Sequence, residues 1–242
     1  MVSPADNDTT SGPAFANPLI VALDVPTLDE AVALAAAVGP HVGCLKVGLE
    51  LFTAHGPAAV RAVAEHGPVF LDLKLHDIPN TVARAAGRVA ELGVAFLTVH
   101  ASGGPSMIES AARVLEGSGT RLLGVTVLTS LANDELATIG QPDVAEQVPR
   151  LALVASKAGA DGIVCAPTDV AALRGSLPSG KLLVTPGIRP ATASGDDQAR
   201  IATPEDALGA GADLLVIGRP ITRAEDPVAA TRAILADIGL PA

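Results

Sequence analysis

Residues 69–79 of the chain read VFLDLKLHDIP, an apolar run that contains two acids and a lysine and ends in a proline. Successive side chains of a β-strand point to opposite faces, so we expect Asp72 and Lys74 to share one face. The leucines around them should share the other. Pro79 suits the first turn of a helix, where its missing N–H is not needed. The segment therefore predicts one β/α unit with ionisable groups at the end of its strand.

The same unit recurs along the chain. Short apolar runs alternate with alanine-rich segments of helical length, a pattern typical of parallel α/β folds. Helix starts are indicated by a capping-box spacing from Thr27 and by a proline directly after Thr203 and Asp226. The predicted strands cover residues 19–25, 43–48, 69–74, 96–100, 122–128, 162–165, 182–185 and 214–218.

Eight β/α units predict an α/β fold with one domain, a (β/α)8 or TIM barrel, which needs about 250 residues and carries its active site on the loops after the strands. The chain has 242 residues, and we assign residues 18–242 to the barrel. Residues 1–17 lack the basic and apolar pattern of a signal peptide and are expected to form a flexible leader. An open, doubly wound sheet would also alternate strands and helices, but no glycine-rich dinucleotide turn follows the first strand.

The composition restricts the partners and the compartment. Hydrophobic residues make up 49% of the chain, whereas a net charge of −10 and 2% aromatic residues argue against a nucleic-acid surface. The apolar runs are shorter than a bilayer span. Cys44 and Cys165 lie far apart in apolar segments, which favours buried thiols in a reducing compartment. We therefore expect a cytoplasmic protein that binds neither nucleic acid nor membrane.

Ionisable residues end the first three predicted strands: Asp24, Lys46, and the pair Asp72 and Lys74. The opposite faces of these strands are aliphatic, as packing against helices requires, so the charges should point into the barrel. There the two lysines could alternate with Asp72 and Asp77 in a row of opposite charges that stay ionised. A salt-bridge network that only stabilises the barrel is the alternative. Buried ion pairs stabilise weakly, however, and perturbed charges cluster at functional sites.

A second group of candidates follows the last two predicted strands. Strand seven leads into residues 185–190 (TPGIRP), which include Arg189, and strand eight ends at Gly218 and Arg219. Glycine lets the main chain approach a ligand and an arginine fork matches phosphate oxygens, so these ends predict a phosphate site. Gln198, in the polar loop between them, could close over the same phosphate. The alternative for an isolated arginine here is a solvated surface charge.

Other polar residues give weaker signals. Thr129 and Ser130, after strand five, could bond a polar heterocycle or merely cap the next segment. His100 ends strand four in phase with inward positions, although a single histidine more often supports a site than binds a ligand. The other histidines, at positions 41, 55, 66 and 76, lack metal-ligand spacing, and we expect no metal site.

Residues 72–81 (DLKLHDIPNT) resemble the signature of the orotidine 5′-phosphate decarboxylase family, with its D-x-K-x-x-D core. The resemblance extends from about residue 18 to the C-terminus. Further matching positions are 23–25 (LDV), 46–48 (KVG), 99–101 (VHA), 128–130 (LTS), 186–189 (PGIR), Gln198 and 217–219 (IGR). It implies decarboxylation of orotidine 5′-monophosphate to uridine 5′-monophosphate without a cofactor, the last step of pyrimidine nucleotide synthesis.

The resemblance also implies roles for the charged residues. Lys74 would stabilise the carbanion left at C6 of the pyrimidine and donate the proton that replaces the carboxylate. Asp72 would lie near the departing carboxylate and orient Lys74. Asp24 and Lys46 would bind the ribose hydroxyls, and Lys46 would also join the catalytic charges.

The remaining implied roles concern a second subunit and the two ends of the nucleotide. In the family the last acid of the motif reaches the neighbouring active site, so the enzyme would be a homodimer in which Asp77 and Thr81 act on the partner's substrate. Thr129 would face the pyrimidine edge. The phosphate would be held by Arg189, Gln198, Gly218 and Arg219.

Two rival functions stay open at this point. A metal-dependent sugar-phosphate decarboxylase or aldolase of the same superfamily has a similar D-x-K-x-x-D pattern, but it places a metal-binding acid at the end of strand two. Lys46 stands there in this chain and would repel Mg²⁺. A non-catalytic nucleotide-binding barrel would bind uridine 5′-monophosphate without turnover.

Overall fold

The computed structural model describes residues 16–190 and 200–241. Its eight strands are all parallel, pair in sequence order, and close where β8 pairs with β1. The predicted (β/α)8 barrel is therefore confirmed. The strands are β1 (Leu19–Ala22), β2 (Cys44–Val47), β3 (Val69–Leu75), β4 (Phe96–His100), β5 (Arg121–Val125), β6 (Gly162–Val164), β7 (Leu182–Thr185) and β8 (Leu214–Ile217).

Helices follow the strands and cover the outside of the barrel. The helices of the described residues are α1 (Leu28–Val38), α2 (Leu49–His55), α3 (Pro57–Ala64), α4 (Pro79–Ala90), α5 (Pro105–Leu115), α6 (Asn133–Thr138), α7 (Val144–Lys157), α8 (Val170–Ser176), α9 (Pro204–Gly209), α10 (Arg219–Thr222) and α11 (Pro227–Asp237). Short 3₁₀ turns occupy Gly39–His41, Ala101–Gly103 and Pro167–Asp169. Within the described ranges, no helix is long and apolar enough to cross a bilayer.

The predicted helix starts are confirmed by their caps. Thr27 Oγ1 accepts the N–H of Glu30 at 3.3 Å, and Thr203 Oγ1 accepts that of Asp206 at 3.1 Å. Asp226 caps α11 in the same way. Such caps satisfy N–H groups that lack a partner within the helix and stabilise it by about 1 kcal/mol each.

Alternate residues of the strands belong to two different apolar layers, as the two faces of the predicted strands require. One layer, between the sheet and the helices, contains Leu45 and Leu71. The other fills the barrel, where the rings of Phe70 and Phe96 meet edge to face with centroids 5.8 Å apart. Truncating either buried ring to alanine would cost about 3–5 kcal/mol of stability. The inner layer supports the cavity above it.

The predicted leader lies mostly outside the described residues. At its end, Asn17 bonds to the barrel: its Nδ2 donates to the carbonyl oxygen of His41 at 2.8 Å, and its Oδ1 accepts the N–H of Leu19 at 3.0 Å. These contacts fix the chain just before β1. The expectation for Gln198 also falls outside the described residues.

Candidate active site

A cavity of about 460 Å³ opens at the carboxyl ends of the barrel strands. Parallel strands bring all their following loops to this end, which is where barrel enzymes place their chemistry. The cavity unites most of the residues that the sequence singled out. The ones that line it are Asp24, Lys46, Asp72, Lys74, Thr129, Arg189, Gly218 and Arg219.

Four of these side chains form a row of alternating charge, which we call the lysine rim: Asp24, Lys46, Asp72 and Lys74. Lys46 Nζ lies 3.0 Å from Asp24 Oδ1 and 3.6 Å from Asp72 Oδ2. Lys74 Nζ lies 2.8 Å from the same Asp72 oxygen. The predicted alternation of charge is thus present, with Asp24 rather than Asp77 as its fourth member within this chain.

Asp72 is the centre of the lysine rim. Burial by itself would raise the pKa of this carboxyl, but the ammonium groups of Lys46 and Lys74 and the hydroxyl of Thr98 together hold its pKa below the ordinary value. Thr98 Oγ1 donates to Asp72 Oδ1 at 3.0 Å. The carboxylate therefore stays charged and holds both lysines between fixed neighbours.

The end of β3 departs from regular alternation. Leu71 pairs with Leu97 and Leu75 pairs with Val99, so three residues of β3 lie opposite Thr98 alone. Lys74 has a φ of +49°, a left-handed conformation that costs a residue with a side chain about 1–2 kcal/mol.

The bulge gives Asp72 and Lys74 their positions. The N–H of Lys74 donates to Thr98 Oγ1 at 2.8 Å, so one threonine fixes both charged residues. Both face the cavity, as predicted, but the regular alternation behind that prediction is wrong for residues 72–74. Strained backbone of this kind persists where its surroundings fix it, and it concentrates at functional sites.

Gly48 leaves room for the other half of the lysine rim. A Cβ atom at this position would lie 2.5 Å from Asp24 Oδ1 and 2.9 Å from Lys46 Nζ. Both distances are shorter than a carbon atom tolerates without a shift of its neighbours. Any side chain larger than hydrogen would therefore displace the Asp24–Lys46 pair.

The part of the cavity wall that follows β7 and β8 carries three arginine side chains, which we call the arginine rim: Arg189, Arg219 and Arg223. Arg189 is buried, and its main-chain N–H donates to the carbonyl oxygen of Ala202 at 2.9 Å. Gly218 faces Ala22, which would lie 3.5 Å from a Cβ atom placed there. The side chains supply a concentration of positive charge suited to a phosphate.

Several lining residues were not predicted from the sequence. Arg223 lies four residues after Arg219, a spacing that puts both on one side of a helical turn, and this signal could have identified it. Glu50 and Thr222 come from short helices after β2 and β8, where the sequence offers no comparable pattern. Cys165 lies in the cavity wall, and burial raises the pKa of its thiol to about 12.

Asp77 and Thr81 do not line the cavity of their own chain. Both are exposed, and Asp77 Oδ1 accepts the N–H of Ile78 at 2.6 Å, at the start of α4. Between them, Ile78 exposes 66% of its surface, an unusual fraction for a large aliphatic residue.

His100, at the end of β4, lies beside a second histidine. The rings of His100 and His76 lie 5.7 Å apart at the edge of the lysine rim. Burial, then His76 and Lys74, lower the pKa of His100, while Asp72 opposes them.

In the part of the chain that the structure describes, no three His, Cys, Asp or Glu residues are grouped as metal ligands would be.

The chain is similar to a protein family and to individual proteins over nearly its whole length. Residues 17–234 match the model of the "Orotidine 5′-phosphate decarboxylase / HUMPS family". The chain is 57% identical to an orotidine 5′-phosphate decarboxylase of Anaeromyxobacter sp. (strain K), over 91% of this chain and 97% of that protein. It is 54% identical to one of Thermobifida fusca, over 93% and 97% of the two chains.

A solved structure agrees with these matches. The crystal structure of orotidine 5′-phosphate decarboxylase from Lactobacillus acidophilus superposes with a TM-score of 0.80 at 41% identity, over 92% of this chain and 99% of that one. Fold and sequence thus lead to the same group of proteins. The chain belongs to the orotidine 5′-phosphate decarboxylase / HUMPS family.

Proposed function

We propose that this protein converts orotidine 5′-monophosphate to uridine 5′-monophosphate and CO₂, the decarboxylation step of pyrimidine nucleotide synthesis. The observation that carries the proposal is the lysine rim, in which Lys74 Nζ is held 2.8 Å from Asp72 at the wall of the cavity. Relatives that are 54–57% identical over most of the chain bear the name of this enzyme.

The reaction needs stabilisation of negative charge at one carbon. Loss of CO₂ from C6 leaves an electron pair in the plane of the pyrimidine ring, where the π system cannot spread it. A fixed ammonium stabilises charge that develops in the transition state more than it stabilises the substrate. Lys74 supplies that ammonium, and its proton then takes the place of the carboxylate on C6.

Asp72 and Lys46 support Lys74. Asp72 accepts from Lys74 at 2.8 Å and is itself held by Thr98, so the ammonium has little freedom to turn away. Lys46 lies between Asp24 and Asp72, so its positive charge is shared by the two carboxylates and helps to keep Asp72 in place. In this proposal Lys46 and Asp24 also bind the ribose hydroxyls.

The other cavity residues bind the parts of the nucleotide that do not react. Arg219 and Arg189, with the main chain of Gly218, hold the phosphate, and Gln198 adds an amide donor. Thr129 bonds the pyrimidine edge. The phosphate lies away from the reacting carbon, so its binding energy accelerates the reaction only by assembling the site around the base.

We assign Asp77 and Thr81 to the active site of a second subunit. Support comes from their exposure, from their position outside the cavity of their own chain, and from the exposed Ile78 between them. In a homodimer, apolar contact at Ile78 would bring the Asp77 carboxylate to the partner's lysine rim. The two free, buried cysteines are consistent with a cytoplasmic enzyme.

Turnover tests the activity directly. Purified protein incubated with orotidine 5′-monophosphate should lose the substrate's absorbance while uridine 5′-monophosphate and CO₂ accumulate in equal amounts. The rate should be unchanged by exhaustive treatment with EDTA. A rate that requires added Mg²⁺ would favour the metal-dependent sugar-phosphate enzyme, and binding without turnover would favour a nucleotide-binding barrel.

Mixing two inactive variants tests the shared site. Lys74→Ala and Asp77→Ala dimers that exchange subunits would form mixed dimers in which one site carries both changes and the other carries neither. By symmetry, equal mixing should restore about a quarter of the wild-type activity. No recovery, with subunit exchange verified by native mass spectrometry, would contradict the assignment of Asp77 to the partner's site.

A further inference from the structure

Arg200 connects segments that follow three neighbouring strands. Its Nη1 donates to Asp169 Oδ2 at 2.8 Å, and its Nη2 donates to the carbonyl oxygen of Leu128 at 3.2 Å. The side chains of Arg200 and Asp169 are each only 15% exposed. A planar guanidinium can bind two partners in fixed directions, which suits it to join separate segments.

Each of these segments forms part of the cavity wall. Leu128 and Thr129 follow β5, and Asp169 ends the 3₁₀ turn that follows β6 and Cys165. Arg200 itself lies two residues before Ala202, whose carbonyl oxygen accepts the N–H of Arg189 in the segment after β7. The Arg200 side chain thus fixes the positions of three consecutive strand ends relative to one another.

The contact with Leu128 bears on Thr129 in particular. The carbonyl oxygen of Leu128 also accepts the N–H of Leu131 at 3.0 Å, which closes a turn over residues 128–131. Thr129 is the second residue of that turn. Because Arg200 holds the carbonyl that closes the turn, it restrains the main chain from which the Thr129 side chain projects.

Stability alone is a poor explanation for this ion pair. A largely buried Arg–Asp pair gains little over apolar residues of similar size, because both charges lose their hydration. Fixing a geometry is a better-supported use of such a pair. We propose that Arg200, held by Asp169, is a positioning residue that sets the 128–131 turn and with it the contact of Thr129 with the nucleotide base.

The identity of that base rests on the proposed function, so the test includes a readout without nucleotide. Hydrogen exchange of the intact protein should be about tenfold faster across residues 128–131 in Arg200→Met than in wild type, and unchanged in β2. Arg88→Met, which removes an exposed ion pair with Glu91, is the matched control and should change neither segment. Equal exchange of 128–131 in wild type and Arg200→Met would overturn the proposal.

Binding then tests whether the effect reaches Thr129. Arg200→Met should weaken uridine 5′-monophosphate about tenfold in calorimetry and ribose 5-phosphate, which lacks the base, about twofold or less. Thr129→Val should weaken uridine 5′-monophosphate less in the Arg200→Met background than in wild type. Additive losses, or equal losses of both ligands, would contradict a role through Thr129.

Two further variants separate positioning from charge. Arg200→Lys keeps a positive charge beside Asp169 but loses the fork, so it should retain the thermal stability of wild type and still show the binding loss. Full recovery of binding by Arg200→Lys would overturn the proposal. If Arg200→Met fails to fold, Asp169→Asn, which keeps the shape of the partner, should show the same pattern of losses to a smaller degree. Wild-type turnover of orotidine 5′-monophosphate judges the proposed function separately.

Discussion

The lysine rim and the arginine rim face the same cavity but hold charge in different ways. In the lysine rim, opposite charges alternate at 2.8–3.6 Å, so each group is fixed by its neighbours. In the arginine rim, three side chains of one sign line the wall. A balanced row preserves geometry for a reaction, whereas a concentration of one sign attracts an anion. In the proposed function, the first rim carries out the chemistry and the second binds the phosphate.

The strongest test of this division removes the reacting group. Lys74→Ala should lower kcat by about 10⁴-fold or more, because the variant loses both an electrostatic stabiliser and a proton donor. Binding of uridine 5′-monophosphate should change far less. Lys157→Ala, at the exposed end of α7, is the matched control and should be fully active. Near-normal kcat in a folded Lys74→Ala protein would remove the lysine rim from the mechanism.

The complementary change is made in the arginine rim. Arg219→Ala should weaken uridine 5′-monophosphate by about 10- to 100-fold, the range expected for a lost hydrogen bond between charged groups. Uridine, which lacks the phosphate, should bind as it does to wild type. Arg232→Ala, at an exposed position of α11, serves as the control for loss of one positive charge. Equal losses for nucleotide and nucleoside would show that the arginine rim does not bind the phosphate specifically.

A steric change in the lysine rim should have a smaller effect. Gly48→Ala places a Cβ atom 2.5 Å from Asp24 Oδ1, so the Asp24–Lys46 pair must shift while Lys74 stays bound to Asp72. We expect kcat/KM to fall about tenfold, since a small misplacement of positioning groups can lower rates by up to about 100-fold.

The control for this change is Gly175→Ala, at an open position in α8 where a Cβ atom would meet nothing within 4 Å. Inhibition by inorganic phosphate, which reports on the arginine rim, should be the same in both variants and in wild type. Wild-type kcat/KM in Gly48→Ala would mean that the Asp24–Lys46 geometry is not needed.

Periodicity in the sequence was sufficient for the fold and for part of each rim. The alternation of apolar runs with alanine-rich segments identified all eight strands, because a barrel strand is buried on both faces and reads as a short apolar run. The positions of the charged residues then indicated the inward faces of the first three strands. The same reasoning also placed Asp24 and Lys46 correctly. The departure at Lys74 escaped this reasoning, because a bulge depends on what lies opposite, and Thr98 stands 24 residues away.

Contacts between distant segments were the main information that the sequence lacked. Gly48 is visible in the sequence, but the oxygen that excludes its side chain belongs to Asp24. Arg200 meets partners 31 and 72 residues away. No local pattern relates such residues, because only the closure of the barrel brings the strand ends together. A contact with a second subunit, as proposed for Asp77, is even harder to predict from a local pattern, because it depends on how two chains associate.

The smallest expected effect concerns a proton beside the lysine rim. Burial, then the neighbouring His76 and Lys74, lower the pKa of His100 from its ordinary 6.5, although Asp72 opposes them. An unfolded chain therefore takes up this proton at a higher pH than the folded one. As pH falls from 6.5 through the folded pKa, the unfolded state binds more protons and the free energy of unfolding decreases.

His100→Gln should remove that part of the pH dependence, measured as the change in urea midpoint between about pH 7.5 and pH 5.5. Arg219→Ala should leave the dependence unchanged, because its charge belongs to the arginine rim. If Arg219→Ala alters the dependence as much as His100→Gln does, the two rims share one electrostatic field and the division between them fails. If only His100→Gln alters the pH dependence, the effect comes from the groups around His100 at the lysine rim and not from the arginine rim.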